Sequence, residues 1–526
     1  MSHLLALKAF CQSKGGNHTK SVGDIKGQIC VVSAFSRIRQ KETVGQSDGG
    51  SSILKKLMKM FITLLSMSLF AATNVRSATT NALVCIEKVL HVQQKSDFCG
   101  EACAEMFLKK LGYAISQDEI YNLSGLNPIL GRGCYTAELN RALLAVGFET
   151  GVVCVNVSAD SASAMRTEWA KLHAALLKGV PSIICMRTGT TTKATEHFRL
   201  ILGYDATKDE IIYHEPAEAN GAYHRMKLDV FLNLWPLKYG AQHWSIIRME
   251  LKPGKITVPK RETGFTDADY AQHIMKLKEK IPSAVFTVLI QKPFVVLGDE
   301  PASVVALRAE QTVKWATARL KHMYFKKDPE NIIDVWLFKD KASYDKYTWE
   351  IFSDKPDTPY GYSSSEHNAL IMNIGTGGGT LVHEIVHPFI DTNFPECPSW
   401  FNEGMGSLYE QSQGKGEEII GLTNWRLAGL QEAIRKGEVP SFQALTSTTT
   451  HEFYNKDRGT NYAQARYLCY YLQEKGLLTK FYHAFYAARA EDPTGYKTLQ
   501  SVLGKKDMDA FKKEWEAYVL KLRFGE

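Results

Sequence analysis

The clearest chemistry in the sequence comes from His383, Glu384 and His387, which form an HExxH pattern. Positions i and i+4 of a helix lie on one face, so both imidazoles can bind the same metal ion. The glutamate between them can act as general base toward the attacking water. Zn²⁺ is the usual ion in such catalytic sites. We therefore predict a zinc site on this helix.

A catalytic zinc site needs a third protein ligand and one open position. Glu403 follows the second histidine by sixteen residues and lies in the sequence Trp-Phe-Asn-Glu-Gly on a predicted helix. Asp391, Glu396 and Glu410 are rival candidates. We expect Glu403 to be the third ligand. The alternatives are a bound but inactive zinc site and a helix with two unrelated histidines.

This arrangement of a strand, an HExxH helix and a W-x-N-E-G segment resembles the gluzincin metallopeptidases over about residues 284–480. The resemblance implies that His383, His387 and Glu403 bind zinc and that Glu384 is the general base.

The same resemblance has two further implications. The strand 370–374 is expected to be an edge strand that pairs with extended substrate. Tyr462 is a candidate for stabilising the oxyanion, with packing between helices as its alternative role.

A second candidate site lies around Cys99, at the start of a helix predicted over residues 98–111. Unpaired N–H groups and the helix dipole favour a thiolate there. His197 opens a predicted strand and can serve as base, and Glu215 can orient that histidine. Gln94 can donate to an oxyanion, with Gln93 as the second choice.

This order resembles the papain-like peptidases that remove double-glycine leaders from bacteriocins, over about residues 88–220. The resemblance implies Cys99 as nucleophile, His197 as base, Glu215 as the third member and Gln94 as oxyanion donor. The chain departs from the pattern, because Phe rather than Asp precedes the cysteine and Glu rather than Asp precedes the proline. A papain-like binding module without catalysis is the alternative.

Hydrophobic patterns place both candidate sites in an α+β protein. In the first part, helices come first and strands follow. Helices are predicted over 98–111, 135–147 and 163–179, and strands over 181–186, 197–203 and 210–214. In the second part, strands over 286–297 and 331–338 flank a long helix over 299–322.

We predict a papain-like domain over residues 85–250, a connector over 251–283 and a gluzincin-like domain, with a mixed sheet and helices, over 284–526.

The net charge of +7 belongs to the N-terminal segment. Residues 1–77 hold 11 of the 63 basic and 3 of the 56 acidic residues, so the rest of the chain is nearly neutral. A nucleic-acid partner is not expected, since its binding face needs clustered Lys and Arg.

Residues 55–77 have the charged and apolar regions of a signal peptide, which predicts a secreted or periplasmic protein. An uncleaved anchor is the alternative. Residues 1–54 are interpreted as a leader without a fold assignment, or as the result of a wrongly assigned start. No second long apolar segment is found, so a stable membrane domain is not expected. Cysteine pairing cannot be read from the sequence.

These observations predict an exported bifunctional peptidase that uses Zn²⁺ in one half, a cysteine in the other, and peptide or protein substrates. Two alternatives stay open. One is a zinc peptidase whose papain-like half only binds. The other is a non-catalytic interaction protein on a peptidase scaffold. The oligomeric state is left open.

Overall fold

The computed structural model describes residues 82–159, 161–240, 242–282, 285–456 and 460–525. The predicted leader 1–54 and signal peptide 55–77 lie outside these ranges. In the part of the chain that the structure covers, no helix is both long and apolar enough to cross a bilayer.

The N-terminal unit, residues 82–253, is built on an antiparallel sheet with strand order β3-β8-β4-β5-β6-β7, and β1 pairs with β5. These strands are β1 Leu83–Cys85, β3 Cys154–Ser158, β4 Ser182–Arg187, β5 Glu196–Asp205, β6 Glu210–His214, β7 His224–Lys227 and β8 His243–Glu250. A small ladder joins β2 Phe148–Glu149 to β9 Lys252–Pro253.

Helices cover both faces of this sheet. On one face pack α1 Cys99–Lys110, α2 Gln117–Leu123 and α3 Thr136–Val146. On the other pack α4 Ala162–Leu177 and α5 Leu228–Leu234. Strand β4 is buried along most of its length because side chains from both faces lie under helices. The helices and strands predicted for this half are present, with boundaries shifted by one or two residues.

The C-terminal unit, residues 267–525, contains a mixed five-stranded sheet with order β10-β11-β12-β14-β13. The strands are β10 Thr287–Gln291, β11 Phe294–Gly298, β12 Ile333–Phe338, β13 Gly361–Ser364 and β14 Ala369–Asn373. The three central strands are parallel, and the two outer strands are antiparallel to their neighbours. A second ladder pairs β15 Ser412–Lys415 with β16 Glu418–Gly421.

One prediction about this sheet is wrong. The strand expected at the edge, 370–374, corresponds to β14, which pairs with β12 on one side and β13 on the other. The edge strand on this side of the sheet is β13, and β10 forms the opposite edge. The prediction failed because the short polar segment that forms β13 has no strong strand pattern.

Helices make up most of the remaining C-terminal unit. They are α6 Asp267–Lys280, α7 Ala302–Arg308, a π-helical segment Ala309–Lys314, α8 Trp315–Met323, α9 Lys341–Phe352, α10 Gly379–Asn393, α11 Ser399–Tyr409, α12 Arg426–Lys436, α13 Phe442–Thr446, α14 Thr450–Asn455, α15 Thr460–Glu474, α16 Leu478–Ala488, α17 Tyr496–Leu503 and α18 Met508–Val519. One face of the sheet and most of these helices enclose the largest apolar core.

The segment predicted as a connector, 251–283, contains α6, which packs against both units. Tyr270, Ile274 and Leu277 lie in the core on the outer face of the five-stranded sheet. Ala268 and Ala271, on the same helix, lie in the core under α1 to α3. Helix α6 therefore packs against the cores of both units.

Candidate active sites

The N-terminal candidate site forms where α1 meets β5. Cys99 is the first residue of α1, and Phe98 before it is fully buried and stacks on Tyr121 at 4.8 Å. The backbone N–H of Phe198, which follows His197 on β5, hydrogen-bonds to Cys99. The fold thus brings the start of this helix against the strand that carries the predicted base.

Glu215 directly follows β6 and faces that base. The Nε2 atom of His197 lies 2.5 Å from Oε1 of Glu215, and Arg199 donates from Nε to Oε2 at 2.6 Å. Burial alone would raise the pKa of Glu215, but the hydrogen bond and charge of His197 and the charge of Arg199 lower it to about 2. The acid is therefore ionised and holds His197 by one ring nitrogen, leaving Nδ1 for another partner.

The thiol of Cys99 is not activated in the way that the helix position predicts. Burial and then the carboxyl of Glu101 raise its pKa to about 12, although N–H groups of Phe198 and Gly100 oppose this rise. Desolvation outweighs the helix N-terminus because a thiolate loses its hydration when it is buried. Cys99 is a free thiol, and no disulfide joins the cysteines in the described part of the chain.

Glu101 is a buried acid that the sequence analysis missed. Its side chain is fully buried, and Oε1 accepts the N–H of Cys134 at 2.8 Å. Asp97 accepts the N–H of Gly133 at 3.0 Å. These two carboxyls attach the loop before α3 to the segment around Cys99. Burial raises the pKa of Glu101 to about 7.

Gln94, the predicted oxyanion donor, lies beside the acid. Its backbone N–H bonds to the carbonyl of Pro216 at 2.9 Å, and its side-chain oxygen is buried without a partner among the described residues. Gln93 is exposed, and its carbonyl accepts from Gln117. The structure therefore places the backbone of Gln94 beside Pro216, the residue that follows Glu215.

The C-terminal candidate site forms between α10 and α11. His383 and His387 lie one turn apart on α10, with ring centroids 4.9 Å apart. Glu403 projects from α11 toward both rings. Its Oε2 lies 3.1 Å from Nε2 of His383, and its Oε1 lies 3.9 Å from Nε2 of His387. Glu384 Oε2 is 3.9 Å from the same Nε2 of His387.

These atoms suit a small cation. Ligands about 2.1 Å from a tetrahedral zinc ion lie roughly 3.3 Å from one another, close to the separations found here. Oε2 of Glu403 is buried and has no hydrogen-bond partner among the described residues, because its contact with His383 lacks hydrogen-bond geometry. Such an acceptor is costly unless a cation or proton satisfies it. His383, His387 and Glu403 can therefore hold a metal ion.

Both imidazoles are oriented through their other ring nitrogen. Nδ1 of His383 lies 3.1 Å from Oε1 of Glu410, and Nδ1 of His387 lies 2.8 Å from Oδ1 of Asn402. Arg426 donates to both carboxylate oxygens of Glu410. Each Nε2 is thus left to face Glu403, which is how ligand histidines are fixed in metal sites. Glu410, a rival ligand in the sequence analysis, supports the ring from behind.

Two positions after Glu403 require glycine because a larger side chain would meet neighbouring atoms. A Cβ on Gly406 would lie 3.0 Å from Nε2 of His383, and a Cβ on Gly404 would lie 3.1 Å from the carbonyl of Ala465 on α15. Gly406 therefore leaves room for the imidazole, and Gly404 lets α11 and α15 pack closely.

A tyrosine that the sequence analysis did not select contacts the predicted ligand. The hydroxyl of Tyr454 on α14 donates to Oε1 of Glu403 at 2.6 Å. Tyr462, the earlier candidate, packs on Phe453 and Tyr454 and faces the guanidinium of Arg426. Tyr454 lies 51 residues beyond Glu403 on a short separate helix, so only the tertiary structure reveals the contact.

Comparison with known proteins adds one finding. Residues 86–243 match the family model described as the Peptidase_C39 like family. The matched segment contains Cys99, His197 and Glu215, and it supports a hydrolase of the cysteine-peptidase type for the N-terminal unit. No curated protein matches the chain.

Proposed function

We propose that the protein is an exported peptidase with two hydrolytic sites, a thiol site at Cys99 and a zinc site at His383, His387 and Glu403. The observation that carries the zinc half is the convergence of two Nε2 atoms on Glu403, whose buried Oε2 accepts no hydrogen bond from the described residues. The family match supports the thiol half. The apolar segment 55–77 supports export.

In the thiol site, His197 removes the proton from Cys99 as the sulfur attacks the peptide carbonyl. Glu215, ionised and bonded to Nε2, holds the ring and stabilises its cation. The side-chain amide of Gln94 donates to the developing oxyanion. Because desolvation raises the pKa of the Cys99 thiol to about 12, His197 takes its proton as the sulfur attacks.

In the zinc site, His383, His387 and Glu403 would hold the ion. The ion would supply Lewis-acid chemistry there, namely polarisation of the peptide carbonyl and a lowered pKa of the attacking water. Glu384 lies beside the ligands on the same helix and takes the proton of the attacking water. It then delivers that proton to the leaving amine. Burial raises the pKa of Glu384, which suits a group that must hold a proton between the two steps.

One observation favours a second candidate function. The pKa of Cys99, raised to about 12, suits a papain-like half that binds substrate while only the zinc half hydrolyses it.

A peptide-library cleavage assay with two inhibitors tests the proposal. Iodoacetamide blocks the thiol and a zinc chelator removes the ion. We expect each inhibitor to abolish a different subset of cleavages. Loss of all cleavage with the chelator alone supports the alternative in which the papain-like half only binds substrate. Absence of any cleavage by zinc-loaded, reduced protein contradicts both peptidase proposals and favours a non-catalytic scaffold.

A further inference from the structure

A tyrosine hydroxyl holds one of the two carboxylate oxygens of Glu403. Tyr454 lies on α14, and its hydroxyl oxygen is 2.6 Å from Oε1 of Glu403. A phenol keeps its proton at neutral pH because its usual pKa is about 10, so the tyrosine donates and the carboxylate accepts. The distance is at the short end for an O–H···O hydrogen bond, as expected when the acceptor is charged.

The other oxygen of the same carboxylate has a different environment. Oε2 of Glu403 is buried, accepts no hydrogen bond from the described part of the chain, and lies 3.1 Å from Nε2 of His383. Oε1 is farther from the imidazoles, at 3.9 Å from Nε2 of His387. The carboxylate therefore directs one oxygen toward the histidines and gives the other to the tyrosine.

The short helix that carries Tyr454 fixes the position of its side chain. At the start of α14, Thr449 accepts the N–H of Glu452, and the side chain of Glu452 accepts the N–H of Thr449. Phe453, the residue before the tyrosine, is buried in the largest apolar core. The residue Tyr454 is 43% exposed, yet its hydroxyl bonds inward to the carboxylate of Glu403. The hydroxyl is therefore held at Glu403 by the packing of its helix.

The support of Glu403 differs from that of the two histidines. Glu410 and Asn402 face Nδ1 of the imidazoles of His383 and His387, which leaves each Nε2 toward Glu403. A carboxylate has two equivalent oxygens, so its orientation also depends on which oxygen another group binds. A hydrogen bond to one oxygen removes this equivalence.

The number of oxygens that a carboxylate gives to an ion decides whether a catalytic site stays open. Two imidazoles and one carboxylate oxygen fill three positions of a tetrahedral ion and leave the fourth for water or substrate. A carboxylate that binds through both oxygens occupies that position as well. To bind in this way, Oε1 of Glu403 must give up the charge-assisted hydrogen bond from Tyr454.

We propose that Tyr454 is a positioning residue that keeps Oε1 of Glu403 away from the metal ion and makes Oε2 the ligand atom. Glu403 then supplies a single oxygen, and one position of the ion stays open. The inference rests on the zinc half of the proposed function and deepens it, because it assigns how the third ligand binds.

The visible absorption of Co²⁺ bound to the full chain tests the proposal. Co²⁺ accepts the ligands of a zinc site, and a four-coordinate ion absorbs several-fold more strongly than a five-coordinate one. We expect intense absorption in the wild type and a several-fold loss in Tyr454→Phe, in which Oε1 is free to reach the ion. An unchanged spectrum in Tyr454→Phe overturns the proposal. A wild-type chain that binds neither Co²⁺ nor Zn²⁺ contradicts the zinc site itself.

Zinc affinity, measured by competition with a chromophoric chelator, gives a second readout. We expect Tyr454→Phe to bind Zn²⁺ roughly 10- to 100-fold more weakly, as after loss of other groups that orient a ligand. The control is Tyr486→Phe, which removes the hydroxyl of a similarly exposed tyrosine on α16 whose ring packs against Phe394. It should match the wild type in affinity and spectrum. Equal zinc affinity in Tyr454→Phe and the wild type overturns the role given to Tyr454.

Discussion

At the scale of single residues, buried charge decides how each candidate site behaves. Cys99 and Glu101 share a poorly hydrated region, and the negative carboxylate disfavours a thiolate nearby. Glu403 has the opposite setting, since two imidazoles and a tyrosine hydroxyl face it. Burial therefore makes the cysteine hard to ionise, whereas the close approach and charge of His383 overcome burial at Glu403 and hold the pKa of its carboxylate at about 2.

We expect Glu101→Gln to lower the pKa of Cys99. In the wild type, Glu101 ionises near pH 7, and its negative charge then opposes ionisation of the Cys99 thiol. The substitution removes that charge. Each unit by which the thiol pKa falls should speed alkylation about tenfold at a pH below that pKa. The measurement is the pH dependence of iodoacetamide labelling at Cys99 by mass spectrometry.

The control for this prediction is Glu87→Gln, which removes an exposed carboxylate that acts on Cys85. Its labelling profile at Cys99 should match the wild type. An unchanged profile in Glu101→Gln would mean that burial alone sets the pKa of the thiol.

We expect Gly406→Ala to weaken zinc binding by roughly 10- to 100-fold, as does loss of groups that orient a ligand. The new Cβ would lie 3.0 Å from Nε2 of His383, so the imidazole must shift by a few tenths of an ångström from its position beside Glu403. Competition with a chromophoric chelator measures the affinity without relying on catalysis.

Gly429→Ala is the matched control for the glycine substitution, because it lies within α12 and its Cβ would meet nothing within 4 Å. It should bind zinc normally and stabilise the helix by about 0.5–1 kcal/mol. Equal affinities in the two variants would contradict the role given to Gly406.

At the scale of secondary-structure elements, α6 is the helix that connects the cores of the two units. It lies in a segment that sequence patterns assign to a connector, yet Ile274 is fully buried against the five-stranded sheet. Its N-terminal end is bound to the first unit, since the N–H of Ala268 donates to Asn122 at 2.8 Å. A helix buried on two sides transmits strain between the units that it touches.

Ile274→Ala should lower the opening free energy of α6 by about 2–5 kcal/mol, the usual cost of removing a buried isoleucine side chain. Hydrogen exchange of the α6 amides, followed by mass spectrometry, measures this loss. Glu279→Ala, an exposed change on the same helix, should leave the protection unchanged. Unaltered exchange in Ile274→Ala would mean that α6 is not held by either core.

At the scale of the whole molecule, the two candidate sites have separate supports. The thiol site depends on α1, β5 and the end of β6, while the zinc site depends on α10, α11 and α14. No residue named in one site belongs to the other. Two hydrolytic activities in this chain should therefore be separable by mutation.

We expect Glu384→Ala to retain zinc and lose chelator-sensitive cleavage, and Cys99→Ala to lose only iodoacetamide-sensitive cleavage. The double variant should cleave nothing. Metal analysis and peptide-library cleavage of the three variants provide the measurement. Full chelator-sensitive activity in Glu384→Ala would rule out its role as general base, and residual cleavage in the double variant would require a third site.

Local patterns in the sequence were enough to predict the elements that carry the chemistry. The i, i+4 spacing of His383 and His387 requires a helix to bring them together, and the periodicity around Cys99 predicted α1 closely. These signals depend on neighbours within a few turns. The pairing of His197 with Glu215 was also predicted, from strand ends and a resemblance, and the two lie 2.5 Å apart.

Tertiary structure alone decided what surrounds those residues. Two contacts join residues that are distant in sequence: Tyr454 donates to Glu403, and Glu410 supports His383. The raised pKa of Cys99 depends on the exclusion of solvent by the surrounding fold. Desolvation and long-range contacts depend on the folded chain and leave no periodic pattern of residues in the sequence, so a local pattern cannot predict them. The same reason explains why β13 and the packing of α6 were not predicted.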